Sequence, residues 1–166
     1  MRRPATSLVT GILLVLSTSL LRPSPVFAQP KIIARMSPVP HDAASTFKTL
    51  KRYFSDPGLS NFQLVSADPA THTIVAKRSG IDTATWGQWA YCSLGPMHML
   101  DTLTDAAVTL KVKIEPSVNN ASYVTVNADF QGTYGLGNSE STTQCISNGV
   151  LEENILATAG AASSEN

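Results

Sequence analysis

Two stretches decide the fold: Val108-Thr-Leu-Lys-Val-Lys-Ile-Glu115 and Val124-Thr-Val-Asn-Ala-Asp-Phe-Gln131. Apolar and polar residues alternate in both. Val108, Leu110, Val112 and Ile114 share one parity, as do Val124, Val126, Ala128 and Phe130. Successive side chains of a strand point to opposite faces, so this pattern predicts two strands, each with one apolar face. Pro116 to Ser122 joins them. A symmetric hairpin pairs Ile114 with Val124, Val112 with Val126, Leu110 with Ala128 and Val108 with Phe130. One face is dry and the other wet, as in an antiparallel sheet covered on one side.

Further strands lie upstream. Phe62 and Leu64 alternate with Asn61 and Gln63, and Ile74 and Ala76 mark a strand that ends at Lys77-Arg78. Ala67 to Thr71, with Asp68-Pro69, reads as the turn between them. A symmetric register sets Leu64 against Ile74 and Phe62 against Ala76. Thr85 to Ser93, with Trp86-Gly-Gln-Trp89-Ala-Tyr91, reads as a third strand, followed by a loop at Gly95-Pro96.

Helices flank the strands. Asp42 is a candidate N-cap, and Ala43, Phe47, Leu50 and Phe54 fall on one helical face. Lys48, Lys51 and Arg52 suit the negative end of the helix dipole, and Asp56-Pro57-Gly58 stops the helix. Gly132 to Thr143 reads as a loop rich in Gly and Ser. A second helix is expected from about Thr143 to Thr158, with Ile146, Val150, Leu151, Ile155 and Ala159 as its stripe. The expected fold is therefore α+β in two layers. An antiparallel sheet of about five strands carries an N-terminal and a C-terminal helix on one face.

The chain has 166 residues, 43% of them hydrophobic and 14% charged, which suits one domain with a core. The domain is expected over residues 42–159, with a leader at 29–41 and a polar tail at 160–166. Ile32-Ile33-Ala34 in the leader is a candidate edge strand. Residues 1–28 read as a signal peptide. Arg2 and Arg3 precede an apolar run from Leu8 to Leu21, Pro23 and Pro25 break it, and Val26-Phe27-Ala28 offers a cleavage site. The run is 14 residues long, whereas a membrane span needs about 20. Cleavage leaves nine Lys and Arg against twelve Asp and Glu, which argues against a phosphate-driven nucleic-acid binder. The mature protein is expected to be exported, periplasmic or secreted, with no transmembrane span.

Cys92 and Cys145 are the two cysteines. In an oxidising compartment such a pair usually forms a disulfide, worth about 4 kcal/mol for a loop of this length in the chain-entropy model. The alternatives are two buried free thiols or redox or metal chemistry, although the CxxC spacing of a catalytic thiol pair is absent.

The segment Cys145-Ile-Ser147-Asn-Gly149-Val-Leu151-Glu152, with Tyr91-Cys92, resembles a C-x-S-x-G-x-L-E pattern in small exported proteobacterial envelope proteins and lipoproteins. Over residues 42–158 the element order also resembles the helix-grip domains of the C lipoprotein of the outer-membrane assembly machinery. The resemblance implies a two-layer α+β fold and an interaction role. This chain departs from the lipoproteins in having no Cys after the apolar run.

Met97-His98-Met99 supplies thioether and imidazole ligands that suit copper(I), and Trp86 and Trp89 upstream offer a cation–π cap. The set looks like the Met, His and Trp ligands of periplasmic copper chaperones. The plainer reading is a loop in which a Met fills a gap in the core. Trp86 and Trp89 have a second functional reading as a binding platform, set against a core role. His41, His72 and His98 fit no zinc spacing. Asp101 and Asp105 read as loop or capping residues more readily than as paired carboxylates. Gly135-Leu-Gly-Asn-Ser139 lacks the Lys of a phosphate loop, no GxSxG is present, and no catalytic residues are nominated. Asn120-Ala-Ser122 fits a glycosylation sequon. The favoured reading is an interaction module that binds an envelope protein. The alternatives are a carrier of copper(I) or an apolar ligand, and an enzyme without a recognisable motif.

Overall fold

The computed structural model describes residues 35–93, 102–136 and 139–161. In chain order the elements are β1 (Arg35–Val39), α1 (Ala43–Ser55), β2 (Gln63–Asp68), β3 (Thr73–Ser79), α2 (Thr83–Trp89), β4 (Ala90–Tyr91), β5 (Thr102–Pro116), β6 (Ser122–Leu136), β7 (Ser139–Ser147) and α3 (Val150–Gly160). The strands form one antiparallel sheet in the order β2-β3-β5-β6-β7-β4, and β1 pairs with the start of β6. The fold is α+β, as expected. It has seven described strands rather than about five, and a third helix between β3 and β4.

The β5–β6 hairpin has the expected register. Ile114 faces Val124, Val112 faces Val126, Leu110 faces Ala128 and Val108 faces Phe130. These apolar residues are all buried. The hairpin is longer than the alternation suggested, because each strand has 15 residues. Gly132 to Leu136 continue β6 instead of opening a loop, and Ser139–Ser147 is strand β7. Gly132 is there for close packing. A Cβ on it would lie 2.8 Å from Tyr134 Cε2 and 3.3 Å from Cys145 Sγ. The segment is held in a strand by pairing with Ala106 and Thr143, and the ring and sulfur beside Gly132 leave no room for a larger residue.

α1 matches the sequence reading. Asp42 Oδ1 accepts the amides of Ala44 and Ser45 at 3.0 and 2.9 Å. Ala43, Phe47, Leu50 and Phe54 are buried, and the Asp56 amide closes the last turn onto the Arg52 carbonyl. The face packs on β2, β3, β5 and β6. Phe54 meets Phe62 edge-on at 5.9 Å. Burying a side chain of the size of Phe54 or Leu50 contributes roughly 1.5–3 kcal/mol.

Four further expectations need correction. The β2–β3 pair is not symmetric: Leu64 faces Ala76 and Ala67 faces Ile74, with a bulge between Leu64 and Ser66. Val65 sits at the bulge and is exposed. The extra residue shifts the pairing that simple counting assigns. The second correction is α2, where a strand was expected over Thr85–Ser93. Asp82 caps it by accepting the Thr85 amide at 2.9 Å, and Trp86 and Trp89 lie three residues apart, on one side of a helix. The third is α3, which starts at Val150 and not near Thr143. Gly149 has φ of 90°, so the backbone turns left-handed before the helix begins. Ile146 therefore belongs to β7, Val150 is exposed, and the buried residues are Leu151, Glu152, Ile155 and Ala159. The fourth is β1. Residues 35–39, read as part of a leader, pair with Val126–Ser122 and join the domain. Ile32-Ile33-Ala34 and residues 1–28 lie outside the described residues. Among the described residues, no helix is long and apolar enough to cross a membrane.

Candidate functional site

The Cys145–Glu152 segment is where β7, α2, α3 and β1 converge. Ala90 and Tyr91 of β4 pair with Ser147 and Ile146, which brings the next residue, Cys92, opposite Cys145. The two are disulfide-bonded, with Cα atoms 4.3 Å apart. The bridge joins the residue after β4 to Cys145 near the end of β7, a strand where a helix was expected. Ser147 Oγ accepts the Gly149 amide at 2.9 Å. The Asn148 amide donates to the Trp89 carbonyl at 2.9 Å, its side-chain nitrogen donates to the Gln88 carbonyl, and its Oδ1 accepts the Val150 amide at 3.1 Å. Asn148 thereby fastens the end of α2 to the start of α3.

Gly149 has a second reason to lack a side chain, because the Arg35 guanidinium occupies the place of a Cβ. Arg35 pairs through Nη1 with Glu153 in the first turn of α3. A cation at a helix N-terminus faces the positive end of the dipole, and the acidic first turn compensates. Glu152 beside it is fully buried, and neither carboxylate oxygen has a hydrogen-bond partner. Trp86 Nε1, His41 Nε2 and Arg35 Nε are also buried without partners. Sequence reading placed Glu152 in a motif and outside the apolar stripe of the last helix. Nothing in a helical period marks a single carboxylate as buried.

The nominated residues are dispersed. Trp86 is buried and meets Phe130 edge-on at 5.5 Å. Trp89 is half-buried, stacked on Phe62 at 6.3 Å, with Arg78 5.1 Å from its ring centre. Trp86 thus packs in the core and Trp89 at its margin, and both lie on a helix where a strand was expected. Met97-His98-Met99 and Asp101 lie outside the described residues. His72 packs beside Phe47, and Asp105 accepts the Ala106 amide. Asn120 of the sequon lies in the β5–β6 turn with φ of 56°. Ser122 is buried, 3.2 Å from the Thr46 hydroxyl. Among the described residues, no three His, Cys, Asp or Glu side chains come together as a metal group.

Three carboxyls are held below the usual range, each mainly by a hydroxyl donor. Asp42 accepts from Ser45, Asp68 from Thr71 and Asp82 from Thr85, each hydroxyl at 2.7 Å. All three also accept backbone amides. Two cap helices and one closes the β2–β3 turn, so their chemistry is structural.

The outer sheet face presents the odd-numbered set of β5. The register aligns Asp68, Thr73, Lys113, Thr125 and Met36 across five strands. The next row sets Glu115, Tyr123 and Pro38 side by side. Lys113 Nζ lies 2.6 Å from Glu115 Oε1, and Gln144 donates to Asp129 at 3.0 Å. The face carries both signs of charge. At its β1 corner, Met36, Pro38 and Tyr123 are exposed and adjacent, with Met36 62% and Tyr123 43% accessible.

No family model matches the chain, and no curated protein sequence matches it. Among solved structures, a DUF4468 family protein from Bacteroides ovatus ATCC 8483 is similar at a TM-score of 0.37 and 13% identity. That match covers 68% of this chain and 59% of the neighbour's length.

Proposed function

We propose that this chain is an exported, disulfide-stapled domain that binds an envelope protein through the outer face of its sheet. The carrying observation is the exposed corner of Met36, Pro38 and Tyr123 on a mostly polar face. The helices pack on the opposite face, so these side chains add nothing to the main core. An exposed apolar and aromatic group with a polar surround is what a protein-binding surface needs. The Lys113–Glu115 pair beside it supplies a polar rim. Export is read from residues 1–28, and the disulfide suits an oxidising compartment.

The test is an in-cell cross-link of the tagged chain, with captured proteins identified by mass spectrometry. The expected result is one dominant envelope protein, lost in the Met36→Lys/Tyr123→Lys double variant while its thermal unfolding stays close to wild type. Capture that persists in that variant, or no reproducible partner, overturns the reading.

A further inference from the structure

Asn148 is exposed and followed by Gly149, an Asn-Gly step at the junction of β7 and α3. Such a step is chemically labile in an open chain, because glycine leaves its amide nitrogen unshielded. The Gly149 nitrogen attacks Asn148 Cγ, and the side-chain amide departs as ammonia. Water then opens the succinimide to aspartate or isoaspartate. The folded chain occupies every group in that path. The Gly149 N–H, which must be lost before attack, donates to Ser147 Oγ at 2.9 Å. The Asn148 side-chain nitrogen donates to the Gln88 carbonyl, and Oδ1 accepts the Val150 amide at 3.1 Å. The side chain cannot turn toward the Gly149 nitrogen without releasing α2.

We propose that Asn148-Gly149 is a conformation-gated deamidation site, intact while α2 is docked and converted when that junction opens. Conversion is one-way in its effect. An aspartate at 148 sets a carboxylate oxygen against the Gln88 carbonyl, so two acceptors meet where a donor stood. Isoaspartate also adds a backbone carbon between β7 and α3. A chain that has opened and reacted re-docks α2 less well than a fresh one.

The test incubates the full chain, disulfide intact, at mildly alkaline pH, folded in buffer and unfolded in urea, and maps deamidation by peptide mass spectrometry. Conversion at Asn148 should be at least about tenfold slower in the folded chain, because local opening must break several hydrogen bonds. Ser147→Ala frees the Gly149 N–H and should speed conversion several-fold in the folded chain. Equal or faster conversion in folded wild type, or deamidation that maps to other asparagines in the unfolded chain, overturns the proposal.

Discussion

The two faces of the sheet are built from the same strands and do different work. On β5, Val108, Leu110, Val112 and Ile114 are at most 1% accessible, while Lys111, Lys113 and Glu115, of the other parity, are exposed. One residue of translation along the strand separates a core position from a solvent position. The inner face therefore carries the stability, and the outer face is free to vary or to bind. Substitutions on the two faces differ accordingly.

The largest contrast is between Phe130→Ala and Lys111→Ala. Phe130 is fully buried against Trp86, and its loss should cost roughly 3–5 kcal/mol through a cavity. Lys111→Ala should change stability by less than about 0.5 kcal/mol. Urea unfolding of both variants measures the gap, and equal effects would remove the distinction between the faces. The disulfide comes next. Cys92→Ser/Cys145→Ser should lower stability by about 2–4 kcal/mol, seen as an earlier urea midpoint under oxidising conditions.

Glu152 tests the inner layer from the opposite direction. It is a buried acid in a largely apolar layer, with no partner for its oxygens. Glu152→Leu should raise stability by roughly 1–3 kcal/mol, because a buried unsatisfied group is removed. A loss in the same urea titration would mean that the carboxylate has a partner when the protein is in solution.

The smallest effect lies at the exposed ends of the elements. Asp42, Asp68 and Asp82 have carboxyls held below their usual range in the folded chain by hydroxyl and amide donors. Their contribution is present above the unfolded carboxyl value, near about pH 4, and is lost as pH falls through the lower folded values. Stability should therefore decline on acidification, and the triple variant Asp42→Asn/Asp68→Asn/Asp82→Asn should show a flatter acid limb in thermal unfolding. An unchanged limb would assign acid sensitivity to other groups.

Much of the inner face was legible in the sequence because it depends on local periods. The alternation over 108–131 sets which residues face inward, and the spacing Ala43, Phe47, Leu50, Phe54 sets the buried side of α1. The N-cap at Asp42 follows from side-chain chemistry of the same local kind, and the cysteine pairing from there being two cysteines to join. The candidate surface was not legible. Met36 and Tyr123 are far apart in the chain, and they become neighbours only when β1 joins the edge of β6. Sequence reading nominated Trp86 and Trp89 instead. Trp is as suited to a core as to an interface, and the choice rested on whether 83–89 is a strand or a helix.

The sequence alone determined the α+β class, the register of the central hairpin, the first helix and the cysteine pair. The first three rest on periods that act within short stretches of chain, and the cysteine pair rests on there being two cysteines to join. Tertiary structure decided α2, β7, the start of α3 and the place of β1. A seven-residue helix carries too little period to identify itself, and Gly132 stays in a strand because Ala106 of β5 and Thr143 of β7 pair with it on either side. It also decided that Glu152 is buried, since burial belongs to what packs around a side chain and not to the side chain itself.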